Sequence, residues 1–599
     1  MNRANVVSKV AFLLAAAVVA SCAGEKERVR SVKEASAEAQ SMEKGAPAAA
    51  ATAAAPVAAA ASSTAQAAPA AVDKAKADAE AAAAKAKADA QAAADKAKAD
   101  ADAAAAKLKA EAAAAAAAVK PQLPKVLALP ANQKTAVNLE LRFRTGSVDD
   151  PQGKAGLTLL AARVMSEGGT VALDSKQLLE ALFPIAAQTN TRVDREQTSF
   201  TARVHKDVLD KLLPIFTDQV LHPRWDEKEF ARIKDAMVSD LEKRLRQADD
   251  ENLGKEALAG LMYRGHAYAR PIAGLVSDLK SATLADAKAH AAKVFTVDRL
   301  TIGLSGNYPE GLGEKLSQTL SALPQVGAPA VAVTKQKPPV HPRYLLVEKA
   351  GAASAVSMGF PVDFGHKDAD WAALSVARSA FGEHRQFNGR LMQRIRELRG
   401  LNYGDYAYIE HYQQQGGDAS SAQTGRARTQ QDFTIWLRPV KNENRLFAVR
   451  AALRELARSV GEEPFTQAEV AKTKGFLDGY ILLFDQTDNR KLGYALDGAF
   501  LGETDFLKTW RKNLDGVTVD QVNAAWKKHI DPSKLQIVIV GENMKAVRDQ
   551  LLSNAPSPIT YASPKGKDVT DADADIIKFP YGAASADDVE IVPVEKLFE

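Results

Sequence analysis

A helix-then-strand block occurs twice in this chain, 235 residues apart, and that repetition constrains the fold more than any other feature. The segment beginning Thr283-Leu-Ala-Asp-Ala-Lys-Ala-His reads as a capped amphipathic helix. Arg299-Leu-Thr-Ile-Gly-Leu-Ser-Gly306 follows it as a strand closed by glycine. Thr518 to His529 and Lys534-Leu-Gln-Ile-Val-Ile-Val-Gly541 repeat the order at the same offset. Strands mixed with long helices in each unit predict two similar α+β domains, each a mostly antiparallel sheet with helices on one face. The boundaries read as 126–324 and 343–555, joined by a Pro/Ala/Lys linker at 325–342. Residues 556–599, rich in Asp, Ala and Pro, read as an exposed tail.

The N-terminal part of the chain follows different rules. Residues 1–21 have a basic start (Arg3, Lys9), an apolar run from Val10 to Ala20 and then small residues. That run is too short to span a bilayer as a helix and suits a signal-peptide core. Val19-Ala20-Ser21-Cys22 resembles a bacterial lipobox, and Cys22 is the only cysteine of the chain. The expectation is a lipid on Cys22, anchoring the protein in the cell envelope; the alternative is an ordinary secretory peptide. Ala23 follows the cysteine, and by resemblance to lipoprotein sorting the outer membrane, facing the periplasm, is expected. Residues 22–125 are mostly Ala, Lys, Asp and Glu with a few Pro, and Lys74-Ala-Lys-Ala-Asp78 recurs every 11 residues. An 11-residue period keeps charges on nearly fixed helix faces. With almost no large apolar side chain, the stretch reads as a helical or disordered tether, or as an alanine-seamed coiled coil with a partner. The near balance of 78 Lys+Arg against 74 Asp+Glu argues against nucleic acid as a partner, and one cysteine excludes a disulfide framework.

The body resembles a known family. Gly146-Ser-Val-Asp-Asp-Pro151, Gly156-Leu157, Asn190-Thr-Arg-Val-Asp-Arg-Glu-Gln-Thr198 and His222-Pro223 look like the first domain of insulinase/pitrilysin-type zinc metallopeptidases, the inverzincins, in the subgroup that includes the processing peptidases. Gly389-Arg-Leu-Met-Gln-Arg-Ile-Arg396-Glu-Leu-Arg-Gly400-Leu-Asn-Tyr403 resembles the most recognisable stretch of the second. The resemblance runs from about residue 131 to about 555 and implies two homologous domains forming a clamshell.

Such an enzyme needs H-x-x-E-H on a helix: two zinc ligands, a general base between them and a glutamate ligand downstream. By this resemblance the ligand positions hold Leu159 and Arg163, the base position Ala162, and the downstream position Asp240. Leucine and alanine have no lone pair, and arginine is a permanent cation. The expectation is a degenerate zinc motif, with no cofactor in this chain and no hydrolysis by it alone. Elsewhere, His384 and His411 each lack a second histidine at the metal-binding spacing and read as surface or cleft-rim residues. The family's second-domain pair, which binds the substrate carbonyl and the oxyanion, is matched by Arg396 and Tyr403. Asn190, Thr191, Arg192 and Val193 match the edge strand on which these peptidases lay their substrate.

Three readings follow. In the first, the chain is the non-zinc subunit of a two-chain peptidase, lending a peptide-binding cleft, Arg396 and Tyr403 to a zinc-bearing partner. In the second, it is a peptide-binding or scaffold lipoprotein with no hydrolytic role. In the third and weakest, it is an active metalloendopeptidase with an atypical metal site.

Overall fold

The computed structural model describes Lys85, Lys96 and residues 122–383, 386–410, 424–583 and 585–599. Lys85 and Lys96, one repeat apart, are helical and exposed. The signal peptide, Cys22, the rest of the tether up to residue 121, His384 and His411 lie outside the described residues. No helix among the described residues is long and apolar enough to cross a membrane.

In the unit from Lys120 onward the strands are β1 (Lys125–Pro130), β2 (Ala136–Phe143), β3 (Gln188–Val193), β4 (Thr198–His205), β5 (Leu300–Gly306), β6 (Arg343–Glu348), β7 (Ala353–Val362), β8 (Gly404–Tyr408), β9 (Gln431–Lys441), β10 (Gln536–Gly541) and β11 (Val589–Pro593). The helices used below are α1 (Leu157–Glu167), α2 (Glu227–Ser239), α3 (Asp250–Met262), α4 (Leu284–Val294), α5 (Trp371–Gly382), α6 (Arg445–Val460), α7 (Asp488–Leu501), α8 (Val519–His529) and α9 (Lys567–Ile576).

The duplication is visible in the strand order. Sheet one runs β1-β5-β2-β4-β3 and sheet two runs β11-β6-β10-β7-β9-β8, so the second repeats the first with β11 added outside β6. Both sheets are mixed: β1/β5, β6/β10 and β6/β11 pair parallel, and the remaining neighbours antiparallel. The repeated helices α4 and α8 are N-capped by Thr283 and Thr518, each closing a capping box with the residue three positions on, Asp286 and Gln521.

Both faces of each sheet are covered, and alternation along the strands shows how. On β2, Val137, Leu139, Leu141 and Phe143 point into the first core with α1 and α4. The alternate residues Asn138, Glu140 and Arg142 are buried too, although polar. Arg142 reaches α7, a helix from the second half, and pairs with Asp497 at 2.5 Å. Conversely α3, from the first half, packs on β7 and β10 of sheet two. Its close approach uses small residues, since a Cβ on Gly254 would stand 3.1 Å from Ser357 Oγ.

Residues 556–599, expected to form an exposed tail, are folded. They supply α9 and β11, and Ile576, Tyr581 and Val589 are buried in the second core. Short apolar stretches among the acidic residues suffice, because β6 presents an unpaired edge for β11 to join. At the other end β1 starts at Lys125, the last residue allotted to the tether.

Candidate functional site

Helix α1 is N-capped by Gly156, in the left-handed region at φ +88°, where a Cβ would meet Gly274 Cα at 2.7 Å. Its first turn is capped from a distance by Asp150, which accepts from Gly156 N at 2.8 Å, Thr158 N at 2.7 Å and Thr158 Oγ1 at 2.6 Å. Leu159 of α1 faces a cavity of about 600 Å³ shared with Asn190, Thr191, Arg192 and Val193. Ala162 is fully buried against the first core. Arg163 turns along the helix to Glu167, donating at 2.7 and 3.1 Å. Asp240 lies where α2 widens into a π-helical stretch, Asp240–Ala248, and accepts from Arg244 at 2.8 Å. Among the described residues no three His, Cys, Asp or Glu side chains gather to hold a metal. A hydrocarbon, a methyl group and a guanidinium already paired to a carboxylate do not fit a zinc ion.

The strand β3 is the edge of sheet one. Asn190 is exposed, while Thr191 and Arg192 are half-buried beside the cavity. Arg192 donates across to Thr424 O at 2.6 Å, so the second half closes one side of this edge. Just past β3, buried Asp194 takes Arg428 at 2.7 Å and Arg426 at 3.3 Å. Glu196 accepts from Thr429 N at 2.6 Å and Thr429 Oγ1 at 2.7 Å.

Arg396 and Tyr403 stand elsewhere and do not line the cavity. Arg396 sits on a short π-helical turn, Met392–Glu397, and Tyr403 immediately precedes β8, its N–H donating to Arg438 O at 3.0 Å. The Arg396 guanidinium lies 5.2 Å from the ring centroids of both Phe387 and Tyr403. Tyr403 is 68 % exposed and Phe387 56 %, so the stacked trio faces solvent. The nearest carboxylate to Arg396, Glu397, is 4.0 Å away. An arginine held by stacking rather than by an acid keeps N–H groups for a ligand.

Two buried groups had no signature in the sequence. Lys255 places its ammonium 3.5 Å from the Trp436 ring centroid and pairs with Glu251, while burial pushes the amine down to about 7. His366 is held between Glu410 and Glu503 and stacks on Phe506 at 3.7 Å. Burial works against its charge, but the two carboxylates lift it to about 9. Its two carboxylate partners are 44 and 137 residues away in the chain, which no local pattern reveals.

Comparison with known proteins agrees with this architecture. Residues 125–275 match the domain described as insulinase (peptidase family M16), and residues 281–477 the peptidase M16 inactive domain, together more than half of the chain. The chain is 22% identical over 357 residues to a Bacillus subtilis protein named as an uncharacterized zinc protease, YmxG, covering 59% of this chain and 81% of that one. It is 23% identical to a Helicobacter pylori protein named as a non-peptidase homolog, YmxG, covering 68% of this chain and 89% of that one. A solved peptidase M16 inactive domain from Pseudomonas fluorescens superposes with a TM-score of 0.62 at 23% identity, covering 71% of this chain and 98% of its own. A solved protease from Helicobacter pylori superposes with a TM-score of 0.57 at 16% identity, covering 70% and 100%. The chain is built on the paired domains of the insulinase, or M16, peptidase family.

Proposed function

We propose that this chain is the non-zinc subunit of a two-chain, insulinase-type peptidase, lipid-anchored through Cys22 to the outer membrane and facing the periplasm on its alanine-rich tether. The observation that carries this reading is the exposed Phe387–Arg396–Tyr403 stack, which lies outside the chain's own cavity. Donors of this kind act on a carbonyl or oxyanion, and here the chain's own counterpart to a zinc helix offers Leu159, Ala162 and Arg163. A zinc-bearing partner would therefore supply metal and general base, while this chain supplies Arg396, Tyr403 and part of the peptide-binding surface. The name of the Helicobacter pylori relative, a non-peptidase homolog, is in keeping with a chain that does not cleave alone.

The test is affinity purification of the full chain from native envelopes, followed by peptide cleavage by any zinc-bearing relative that accompanies it. Tyr403→Phe is expected to lower that cleavage by roughly 10²-fold or more, as loss of a transition-state donor does in comparable sites. Equal cleavage with wild type, with Tyr403→Phe and without this chain would sink the subunit reading. A second reading, a peptide-binding lipoprotein without hydrolytic role, is favoured by the β3 edge beside its cavity, where backbone pairing needs no metal. In that case peptides bind to the isolated chain and substitution of Tyr403 leaves their affinity unchanged.

A further inference from the structure

Two residues past Tyr403, the strand β8 carries a carboxyl sealed from water. Asp405 is 0% exposed, its Oδ1 accepts from Asn402 Nδ2, and its buried Oδ2 has no hydrogen-bond partner. Asn402 shows the matching defect: its Nδ2 is used, and its buried Oδ1 has no partner. Two unsatisfied oxygens thus sit on the two side chains that one hydrogen bond already joins. An ionised carboxylate cannot donate, so both would stay orphaned at the cost of their lost hydration. A single proton on Asp405 Oδ2 satisfies both. The acid O–H then donates to Asn402 Oδ1 while the amide N–H donates to Asp405 Oδ1, closing an acid–amide ring.

The surroundings favour that proton. Among charged groups on the elements packed against β8, Arg438 of β9 pairs with Glu251, and Arg378 of α5 pairs with Glu383. Arg394 of the π-helical turn pairs with Glu455 and Glu463, and Glu397 of the same turn lies 4.0 Å from Arg396. Arg396 is left as the cation that bears on Asp405. Burial lifts the carboxyl to about 8, with the Asn402 bond and Arg396 pulling back.

We propose that Asp405 is a positioning residue for the Arg396–Tyr403 pair: as a neutral acid ringed with Asn402 it fixes the turn that presents Tyr403, and on ionisation it draws the Arg396 guanidinium away from the Tyr403 ring. The proposal makes that pair's presentation pH-dependent, and its functional meaning rests on the subunit reading above.

The test uses the full chain with its tyrosine rings labelled with carbon-13, which leaves the acidity of the phenol unaltered, the Tyr403 resonance being assigned by its loss in Tyr403→Phe. Over pH of about 6 to about 9, below ordinary tyrosine ionisation, the Tyr403 ring-carbon shift is expected to follow one titration with a midpoint of about 8. Asp405→Asn preserves the ring as an amide–amide pair and should fold with a flat Tyr403 signal. Infrared difference spectra at neutral pH should show one protonated-carboxyl stretch that this substitution removes. A Tyr403 signal that is flat in the wild type, one that titrates equally in Asp405→Asn, or an unchanged carboxyl stretch overturns the proposal. None of these readouts needs a partner, so a positive titration beside a partner indifferent to Tyr403 would reject the subunit reading alone.

Discussion

The cap of α1 shows how much depends on where one proton resides. Thr158 Oγ1 lies 2.6 Å from Asp150 Oδ1 and 2.8 Å from His290 Nε2, all three residues being buried. A hydroxyl has one hydrogen, so with Asp150 ionised it donates there and must accept from His290, which makes His290 the neutral Nε2–H tautomer. Burial pushes His290 down to about 4 and lifts Asp150 to about 7, the latter against three hydrogen bonds that favour its charge. The two effects on stability have opposite signs. The depressed histidine contributes stability that is complete above its ordinary 6.5 and is lost as pH falls through about 4. The raised carboxyl contributes stability that is complete below its ordinary 3.8 and is lost as pH rises through about 7. In the wild type they offset one another across this window. His290→Gln, which can still donate to Thr158, should leave a protein whose stability relative to wild type tilts toward acid pH, by up to about 3 kcal/mol across the window. Asp150→Asn should tilt it the other way. Urea unfolding of the three proteins at matched pH values checks this, and parallel profiles would reject the assigned tautomer and charge.

Among the elements, β11 gains its place through partners rather than through its own pattern. It pairs with β6 from Val589↔Tyr344 to Pro593↔Glu348, and the residues after it are tied to the first half. Arg246 donates to Leu597 O at 2.7 Å and to Glu599 at 3.0 Å, and Ser277 N donates to Glu599 O at 3.1 Å. Removing residues 585–599 should therefore expose the β6 edge and a strip of both cores, and size-exclusion chromatography is expected to show aggregation instead of a single species. Arg399→Ala belongs to the same region, since it takes the cation from buried Asp573, 2.8 Å away, which keeps a hydrogen bond from Tyr561; a loss of roughly 3 kcal/mol in chemical denaturation is expected. These dependencies explain what was legible beforehand. Thr283 with Asp286 and Thr518 with Gln521 are local caps, and strands closed by Gly306 and Gly541 are local patterns, so the duplicated units could be read from their residues. A five-residue strand in an Asp- and Ala-rich segment has no such local mark. In the candidate site, the edge position of Asn190 to Val193 and the turn joining Arg396 to Tyr403 follow from contiguous stretches. The pairing of Asp194 with Arg428 spans 234 residues, and nothing short of the folded chain brings it to notice.

At the scale of the molecule, each half completes the other. α7 covers the polar face of sheet one, where a Cβ on Gly303 would press on Leu496 at 2.8 Å and Leu492 at 3.1 Å. α3 covers the corresponding face of sheet two, with Tyr263, the residue after it, donating to Asp432 at 3.0 Å. The faces so covered are not oily: sheet one offers Glu140 and Arg142, and Arg142 is neutralised by Glu140 at 2.7 Å and Asp497 at 2.5 Å. A buried ion pair adds little against a hydrophobic replacement, but breaking it on one side is expensive, which makes such a face selective for its proper lid. Asp497→Ala should accordingly lower stability by roughly 3–5 kcal/mol, and Asp497→Asn, which can still accept from Gly425 N and Arg142, by less. The arrangement also says what happens when the covalent link is cut. Residues 325–342 contain no helix or strand, so opening the chain there disturbs no element, while the exchanged helices continue to hold the halves. Two separately encoded pieces divided within that segment are expected to co-purify as one complex when made together, because each buries the face the other exposes. Made singly, each piece presents an uncovered sheet face with unpaired charges and should be recovered largely as aggregate. Independent, soluble, monomeric halves would show that the exchanged helices are incidental packing and that the two cores are self-sufficient.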